Sequence, residues 1–266
     1  MIANVLTVAG TDPSGGAGIQ ADIKTFSALG AYATSAITAV VAQNTQGVRG
    51  FVALEAGFVA DQIDAVFEDV RIDAVKIGMV ANAAIAEAIA ERLRHHRPNF
   101  VVLDPVMVAK SGHHLLAPEA VEAVREQLVP LATVITPNLP EASVLLDCGV
   151  EWTQADMQAR LDPLHRLGPH YVLLKGGHLE GAPESTDLLY DGDAIITLSA
   201  PRIVTRNDHG TGCTLSAAIA ALLPTRTVEA AVRAAKTYMH GALEASDRLE
   251  VGQGHGPLHH FYQLWD

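Results

Sequence analysis

The stretch "NVLTVAGTDPSGGAGIQADIKTFSALG", Asn4 to Gly30, decides the fold. "NVLTVAG" (4–10) reads as a buried strand, and "TDPSGGAG" breaks the chain with the residues that favour turns. Beyond it, Ile19, Ile23, Phe26 and Leu29 recur at the helical period and give one apolar face. A strand running through a Gly-rich turn into an amphipathic helix is the first half of a β-α-β unit.

The same rhythm repeats outward from this unit. "YATSAITAVVA" (32–42) is the next predicted strand, and "QNTQGVRGFVAL" reads as a loop with extended pieces. A helix around "ADQIDAVFEDV" leads to the strand "AVKIGM" (74–79), and Asn82 is placed to cap the helix "NAAIAEAIAERLRHH". Strand "FVVLDPVM" (100–107) precedes a helix that opens at Pro118, where a missing N–H is tolerated. Then come the strand "TVITPN", helices around "PEASVLLDC" and "TQADMQARLDPLHRL", and the strand "YVLLKGG" (171–177). "STDLLYDGDAIITLSA" reads as an antiparallel pair turning at Asp191-Gly192, and two helices, 211–223 and 227–248, precede a His-rich tail. Alternation of this kind predicts one α/β domain over residues 1–266, a largely parallel sheet with helices on both faces.

Composition narrows the function. The chain has 18 basic and 30 acidic residues, net charge −12, which argues against a nucleic-acid or anionic-membrane surface. Hydrophobic residues make up 49% and aromatics 5%, so the core is aliphatic. Cys148 and Cys213 do not form a disulfide framework, "MIANVLTVAG" lacks the basic start of a signal peptide, and no apolar run reaches membrane-spanning length. A soluble, cytoplasmic protein is the expectation.

Open parallel sheets bind ligands beyond the carboxyl ends of their strands. Here those ends carry "GTDPSGGAG" (10–18), "QNTQG" (43–47), "GMV" (78–80), "DPVMVAKSG" (104–112), "TPNLPE" (136–141), "KGGH" (175–178) and "HGTGCT" (209–214). "GTDPSGGAG" fits neither common nucleotide fingerprint and reads as a flexible connection, and the missing G-x-G-x-x-G disfavours a dinucleotide oxidoreductase. "HGTGCT" is stronger, because Gly210 and Gly212 permit a tight turn that aims the N–H groups of Thr211, Gly212 and Cys213 at one anion. Asp104 and Glu141 are hard carboxylates suited to Mg²⁺, although Glu141 is also placed to cap a helix. Lys175 runs out of an apolar strand into Gly176-Gly177 and is the candidate phosphate-contacting cation. His95, His96, His259 and His260 read as surface or tail residues, Cys148 as inert, and Met79 and Val106 by default as core.

Together, "AGTDPSGGAGIQADIKTFSALGAY", "KIGMV", "VVLDPVMVAKSG", "ITPNLPEA", "LLKGGH", "HGTGCTLSAAIAA" and "GHGPLHHF" resemble the ribokinase-like superfamily. Within it they resemble the hydroxymethylpyrimidine/phosphomethylpyrimidine kinases. The resemblance implies a three-layer α/β/α fold, ATP as donor, Mg²⁺ as cofactor and a homodimer. It implies phosphorylation of 4-amino-5-hydroxymethyl-2-methylpyrimidine to the monophosphate and then the diphosphate, in thiamine biosynthesis. By the same resemblance Gly10, Ala17, Asp22, Gln43, Met79 and Val106 line the pyrimidine pocket, with Asp22 and Gln43 reading ring nitrogens and the amino group. Asn138 and Glu141 hold Mg²⁺ and the ATP phosphates with Asp104 nearby, and Lys175 contacts phosphate. Thr205 and His209 border the nucleotide, and Gly210, Gly212 and Cys213 form the anion hole. "GGAG" and "AKSG" close over the site, bringing Lys110 within reach of phosphate.

Asp208 departs from the threonine more often found before this histidine, and its charge is repulsive there unless it points outward or joins the metal shell. Cys213 stands where related sugar kinases carry a carboxylate base. A thiol at a helix N-terminus has a lowered pKa, so Cys213 is expected to accept the hydroxymethyl proton, or at least to anchor the anion hole. The alternatives are a pyridoxal or pyridoxine kinase of the same superfamily and a catalytically silent nucleotide-binding module.

Overall fold

Strand β1 (Asn4–Ala9) pairs in parallel with β2 (Tyr32–Ile37) on one side and β5 (Ala74–Ile77) on the other, so it has to be apolar on both faces. Its alternate residues enter different layers. The computed structural model describes residues 1–107, 116–149, 152–179 and 183–265. Between β2 and β5 the chain forms β3 (Ala39–Asn44) and β4 (Gly47–Ala53). Further on come β6 (Val101–Leu103), β7 (Val134–Ile135), β8 (Tyr171–Leu174), β9 (Glu184–Tyr190) and β10 (Ile195–Pro201). The main sheet has eight strands in the order β10-β9-β8-β7-β6-β5-β1-β2, and β9 is the strand that runs against the rest.

Helices α1 (Gly18–Ala28), α7 (Thr211–Leu222) and α8 (Val228–Glu244) cover one face, where Val5 meets Phe26, Ile219 and Val232. The other face carries α2 (Ala56–Asp69), α3 (Ala83–His96), α4 (Pro118–Ala123), α5 (Leu139–Leu145) and α6 (Gln154–His165). There Leu6 and Val8 meet Val59, Ile63, Ile85 and Ile89. The three layers are those expected. Asn82 caps α3, its side-chain oxygen accepting from Ile85 N–H, and the strands turn at Asp191-Gly192 as predicted. The predicted helix from Pro118 continues past α4 as a π-helical turn (Val124–Leu128) and ends in a 3₁₀ turn at Pro130, which has no N–H to carry an α-helix on.

The predicted strand 32–42 is in fact two. It breaks at the buried Thr38, whose N–H donates to Ala9 O at 3.0 Å and whose hydroxyl donates to Met79 O at 2.6 Å. Beyond that anchor β3 leaves the sheet and pairs antiparallel with β4, most of the segment read as a loop, in a separate two-stranded flap. The run of small and β-branched residues continues across the break, so composition alone does not reveal it.

The His-rich tail is likewise not a surface appendage. His259 and His260 are buried, His260 Nε2 lies 3.1 Å from the Thr214 hydroxyl, and Tyr238 Oη donates to His260 O at 2.6 Å. Burial, with Lys24 and His259 nearby, pushes His260 down from 6.5 to about 3. The unfolded chain therefore takes up a proton below pH 6.5 that the folded chain refuses, and stability falls as pH drops from there towards 3. The slope from this one group approaches about 1.4 kcal/mol per pH unit. Urea unfolding between pH 7 and 4.5 is expected to show it, and His260→Gln to flatten it.

Candidate active site

The carboxyl ends of β1, β5, β6, β7 and β8 converge with the first turn of α7, and the polar residues gather there. Lys175, just past β8, donates from its backbone to Pro137 O at 2.9 Å and bridges in parallel to Asn138. That register delivers its ammonium 3.1 Å from Asp104 Oδ1 and 3.9 Å from Glu141 Oε2. Asp104 also accepts from Thr136 Oγ1 at 3.1 Å and from Ser216 Oγ at 3.3 Å. Burial opposes its charge, but Lys175, Lys76 and these bonds outweigh it and hold the carboxyl below the ordinary range. For Glu141 burial wins over Lys175 and raises the carboxyl to about 7. Lys175 itself is raised, because Asp104 and Glu141 overcome the cost of its burial.

Asn138 and Glu141 also form a capping box on α5: Asn138 Oδ1 accepts from Glu141 N–H and Glu141 Oε2 from Asn138 N–H, each at 2.8 Å. The cap and the site share the same residues. Among the described residues no cluster of three His, Cys, Asp or Glu could enclose a metal. Two carboxylates flanking a lysine instead fit Mg²⁺ of the kind that keeps its waters and bridges to phosphates.

Opposite Lys175 lies the loop before α7. Gly210 adopts φ +85° and abuts the Gly16 carbonyl so closely that a Cβ has no room. A Cβ on Gly212 would stand 3.3 Å from Lys175 Nζ and 3.5 Å from Asp104 Oδ2, so the loop and the charged cluster face each other directly. Cys213 sits in the first turn of α7 and accepts a hydrogen bond from Gly18 N–H. Here the expectation of a lowered thiol pKa is overturned. Burial pushes Cys213 up to about 11, with Lys76 and Gly18 N–H opposing and Asp22 and Asp104 adding to the rise.

Gly10, Met79 and Val106 lie around the ends of β1, β5 and β6, and Met79 Sδ would be 3.3 Å from a Cβ on Gly10. Asp22 is the residue expected to read the ring, and its carboxylate is engaged by the protein itself. It is fully buried, both of its oxygens accept from Lys76 Nζ at 2.9 and 2.8 Å, and Thr7 Oγ1 donates to Oδ2 at 2.6 Å. Gln43 lies near Asp12 and helps hold its carboxyl low, and Ala17 N–H donates to Asp12 Oδ2 at 2.8 Å. His209 Nε2 is engaged by Asp12 Oδ2 at 2.7 Å. Thr205 Oγ1 reaches Asp247 Oδ1 at 3.4 Å beside a cavity of about 560 Å³ lined by Arg206, Asn207 and Leu249–Gln253. Asp208 points to His255 Nδ1 at 3.1 Å, which answers the repulsion its charge raised. Lys110 and the "AKSG" segment lie outside the described residues.

Lys76 and Asp12 were missed. Each left a trace in the sequence: a lysine inside the apolar run "AVKIGM", and an Asp-Pro-Ser-Gly-Gly turn whose carboxylate can fold back on its own backbone.

The family profile of phosphomethylpyrimidine kinase matches residues 12–259. The hydroxymethylpyrimidine/phosphomethylpyrimidine kinase of Salmonella typhimurium is 56% identical over 263 residues, 98% of each chain. Among solved structures, an ADP complex of Bacillus subtilis pyridoxal kinase superposes with a TM-score of 0.92 at 37% identity over the whole of both chains. The phosphomethylpyrimidine kinase of Clostridium difficile 630 superposes with a TM-score of 0.81 at 43% identity, over 90% of this chain and 99% of that one.

The buried Asp22–Lys76 pair makes a stability prediction. Lys76→Met strands a carboxylate in the interior and is expected to cost about 3–5 kcal/mol in urea unfolding. Adding Asp22→Leu removes the stranded charge and is expected to recover most of that loss.

Proposed function

Because the chain belongs to the phosphomethylpyrimidine kinase family, we propose that it transfers the γ-phosphoryl group of ATP to 4-amino-5-hydroxymethyl-2-methylpyrimidine and then to the monophosphate, in thiamine biosynthesis. The observation that carries this reading is the Lys175 ammonium, set between Asp104 and Glu141 and facing the Gly210–Cys213 loop. Phosphoryl transfer asks a protein mainly to position its reactants and to stabilise charge on the transferred group. Lys175 and the N–H groups at the start of α7 do the second of these. Asp104 and Glu141 would hold Mg²⁺, which would supply further neutralisation of charge on the phosphate oxygens. The cavity beside Thr205 takes the nucleoside, and its volume is in the range of small-ligand sites.

The pyrimidine ring sits among Gly10, Met79, Gln43 and Val106, with Met79 as an adaptable wall. Its hydroxymethyl oxygen points at the first turn of α7, where Cys213 Sγ takes the proton as the oxygen attacks. A thiol at about 11 is protonated in most molecules at neutral pH, so this role carries a signature. The rate must climb as the thiolate fraction grows. The apolar outward residues Val40, Val48, Phe51 and Val52 of the flap fit a second copy of the chain, giving a homodimer.

Pyridoxal is the second reading, favoured by the close superposition on the Bacillus subtilis pyridoxal kinase. Phosphorus NMR of ATP, Mg²⁺ and the pyrimidine alcohol with the protein is expected to show monophosphate and then diphosphate. Faster ADP release with pyridoxal would reverse the order of the two readings, and ATP binding without transfer to either alcohol would indicate a silent module. Log kcat/KM is expected to rise with pH from 7 towards the thiol's value of about 11. Cys213→Ala should lower kcat by roughly 10²-fold or more. A flat profile with near-normal turnover of Cys213→Ala would leave the work to the backbone N–H groups alone.

A further inference from the structure

The glycine-rich turn after β1 looks like a loop made to hold an anion, and it already holds one. Asp12, 1% exposed, folds back into its own turn. Its Oδ1 accepts from Ser14 N–H at 2.9 Å and Ser14 Oγ at 2.6 Å, and Oδ2 from Gly16 N–H at 3.1 Å and Ala17 N–H at 2.8 Å. The donors that could have cradled a phosphate are therefore spent internally. Oδ2 has one further partner, His209 Nε2 at 2.7 Å, 197 residues away in the chain.

His209 immediately precedes the loop that faces Lys175. Its ring lies against Gly16, and its N–H donates to Gly256 O at 3.0 Å, which ties it to the C-terminal tail as well. The next residue, Gly210, abuts the Gly16 carbonyl. The tail is in turn pinned to the flap, since His255 N–H donates to Thr45 O at 2.8 Å and Gly254 N–H to Thr45 Oγ1 at 3.1 Å. Three segments remote in sequence thus meet at one carboxylate and one imidazole, just ahead of α7.

We propose that Asp12 and His209 form a clasp that positions the anion-binding loop Gly210–Cys213 against Lys175, making Asp12 a positioning residue for phosphoryl transfer. Gly210, in the left-handed region, is the N-cap of α7 and Thr211–Cys213 are its first turn, so their N–H groups point where the end of the helix points. The ring of His209 fixes the residue before the turn, and Asp12 fixes the ring. Loss of the His209 ring lets the end of α7 drift from the phosphoryl group, while Asp12 still holds the Ala17 N–H of the pocket wall.

The inference rests on the kinase reading for its effect on rate, but not for its effect on the loop, so two measurements separate them. Amide hydrogen exchange of the full-length protein, followed by mass spectrometry over residues 206–215, reads the loop directly. Asp12→Asn and His209→Ala are each expected to speed exchange there about tenfold or more, leaving the sheet unchanged. Added imidazole should slow it again in His209→Ala, but not in the double variant Asp12→Asn/His209→Ala. In steady-state assays with the pyrimidine alcohol, kcat should fall roughly 10²-fold in His209→Ala with KM nearly unchanged, whereas Asp12→Asn, which also disturbs the Ala17 contact, should lower kcat and raise KM. The double variant should be no worse than the singles, and imidazole should restore kcat in His209→Ala. Unchanged exchange in His209→Ala, or losses that multiply in the double variant, would overturn the clasp. If Asp12→Asn does not fold, His209→Ala with and without imidazole decides the matter. A wild-type protein that turns over no pyrimidine alcohol would overturn the kinase reading, and the exchange data would still decide the clasp.

Discussion

A lysine ammonium held between two buried carboxylates is the constraint around which this molecule is arranged. Lys175 reaches Asp104 and Glu141 because β8 is locked to the chain after β7 by Lys175 N–H on Pro137 O and by the bridge to Asn138. Slipping that register by one residue would turn the ammonium to the opposite face of the sheet. In a chain of net charge −12, a polyphosphate is received only where local groups overrule the general field. Across the strand ends the buried charges alternate: Asp22, Lys76, Asp104, Lys175, Glu141. Each cation holds its neighbours ionised or resists their burial, and the series faces the N–H groups at the start of α7.

The two glycine-rich segments have opposite fates for the same physical reason. Both expose backbone N–H groups, and an anion is favourable in either place. After β1 the anion is the protein's own Asp12, so the turn becomes a rigid brace. Before α7 the carboxylate of Asp208 reaches His255. The loop stays open to a ligand.

Residues at strand ends were the most legible part of the site. Lys175, Asp104, Asn138 and Glu141 could be read because a parallel sheet sends functional groups to its carboxyl edge whatever the reaction. Asp22 lies in a helix that begins at the site, and nothing in its local sequence reveals that Lys76, 54 residues away, takes both of its oxygens. The flap was read as a continued strand and a loop with extended pieces, because the same run of small and β-branched residues lies on both sides of the break at Thr38.

Sequence alone determined the layers, the largely parallel sheet and the gathering of polar residues at the carboxyl ends of its strands, because these follow from periodicity and local spacing, while the chemistry came from the resemblance of whole motifs to a known family. Tertiary structure decided the ionisation state of Cys213, the partner of Asp22, the burial of the tail histidines and the contact of Asp12 with His209. Each of these depends on burial or on a short distance between residues remote in the chain. A thiol at a helix N-terminus is lowered by the dipole and raised by desolvation, and only the packing around it determines which of the two is larger.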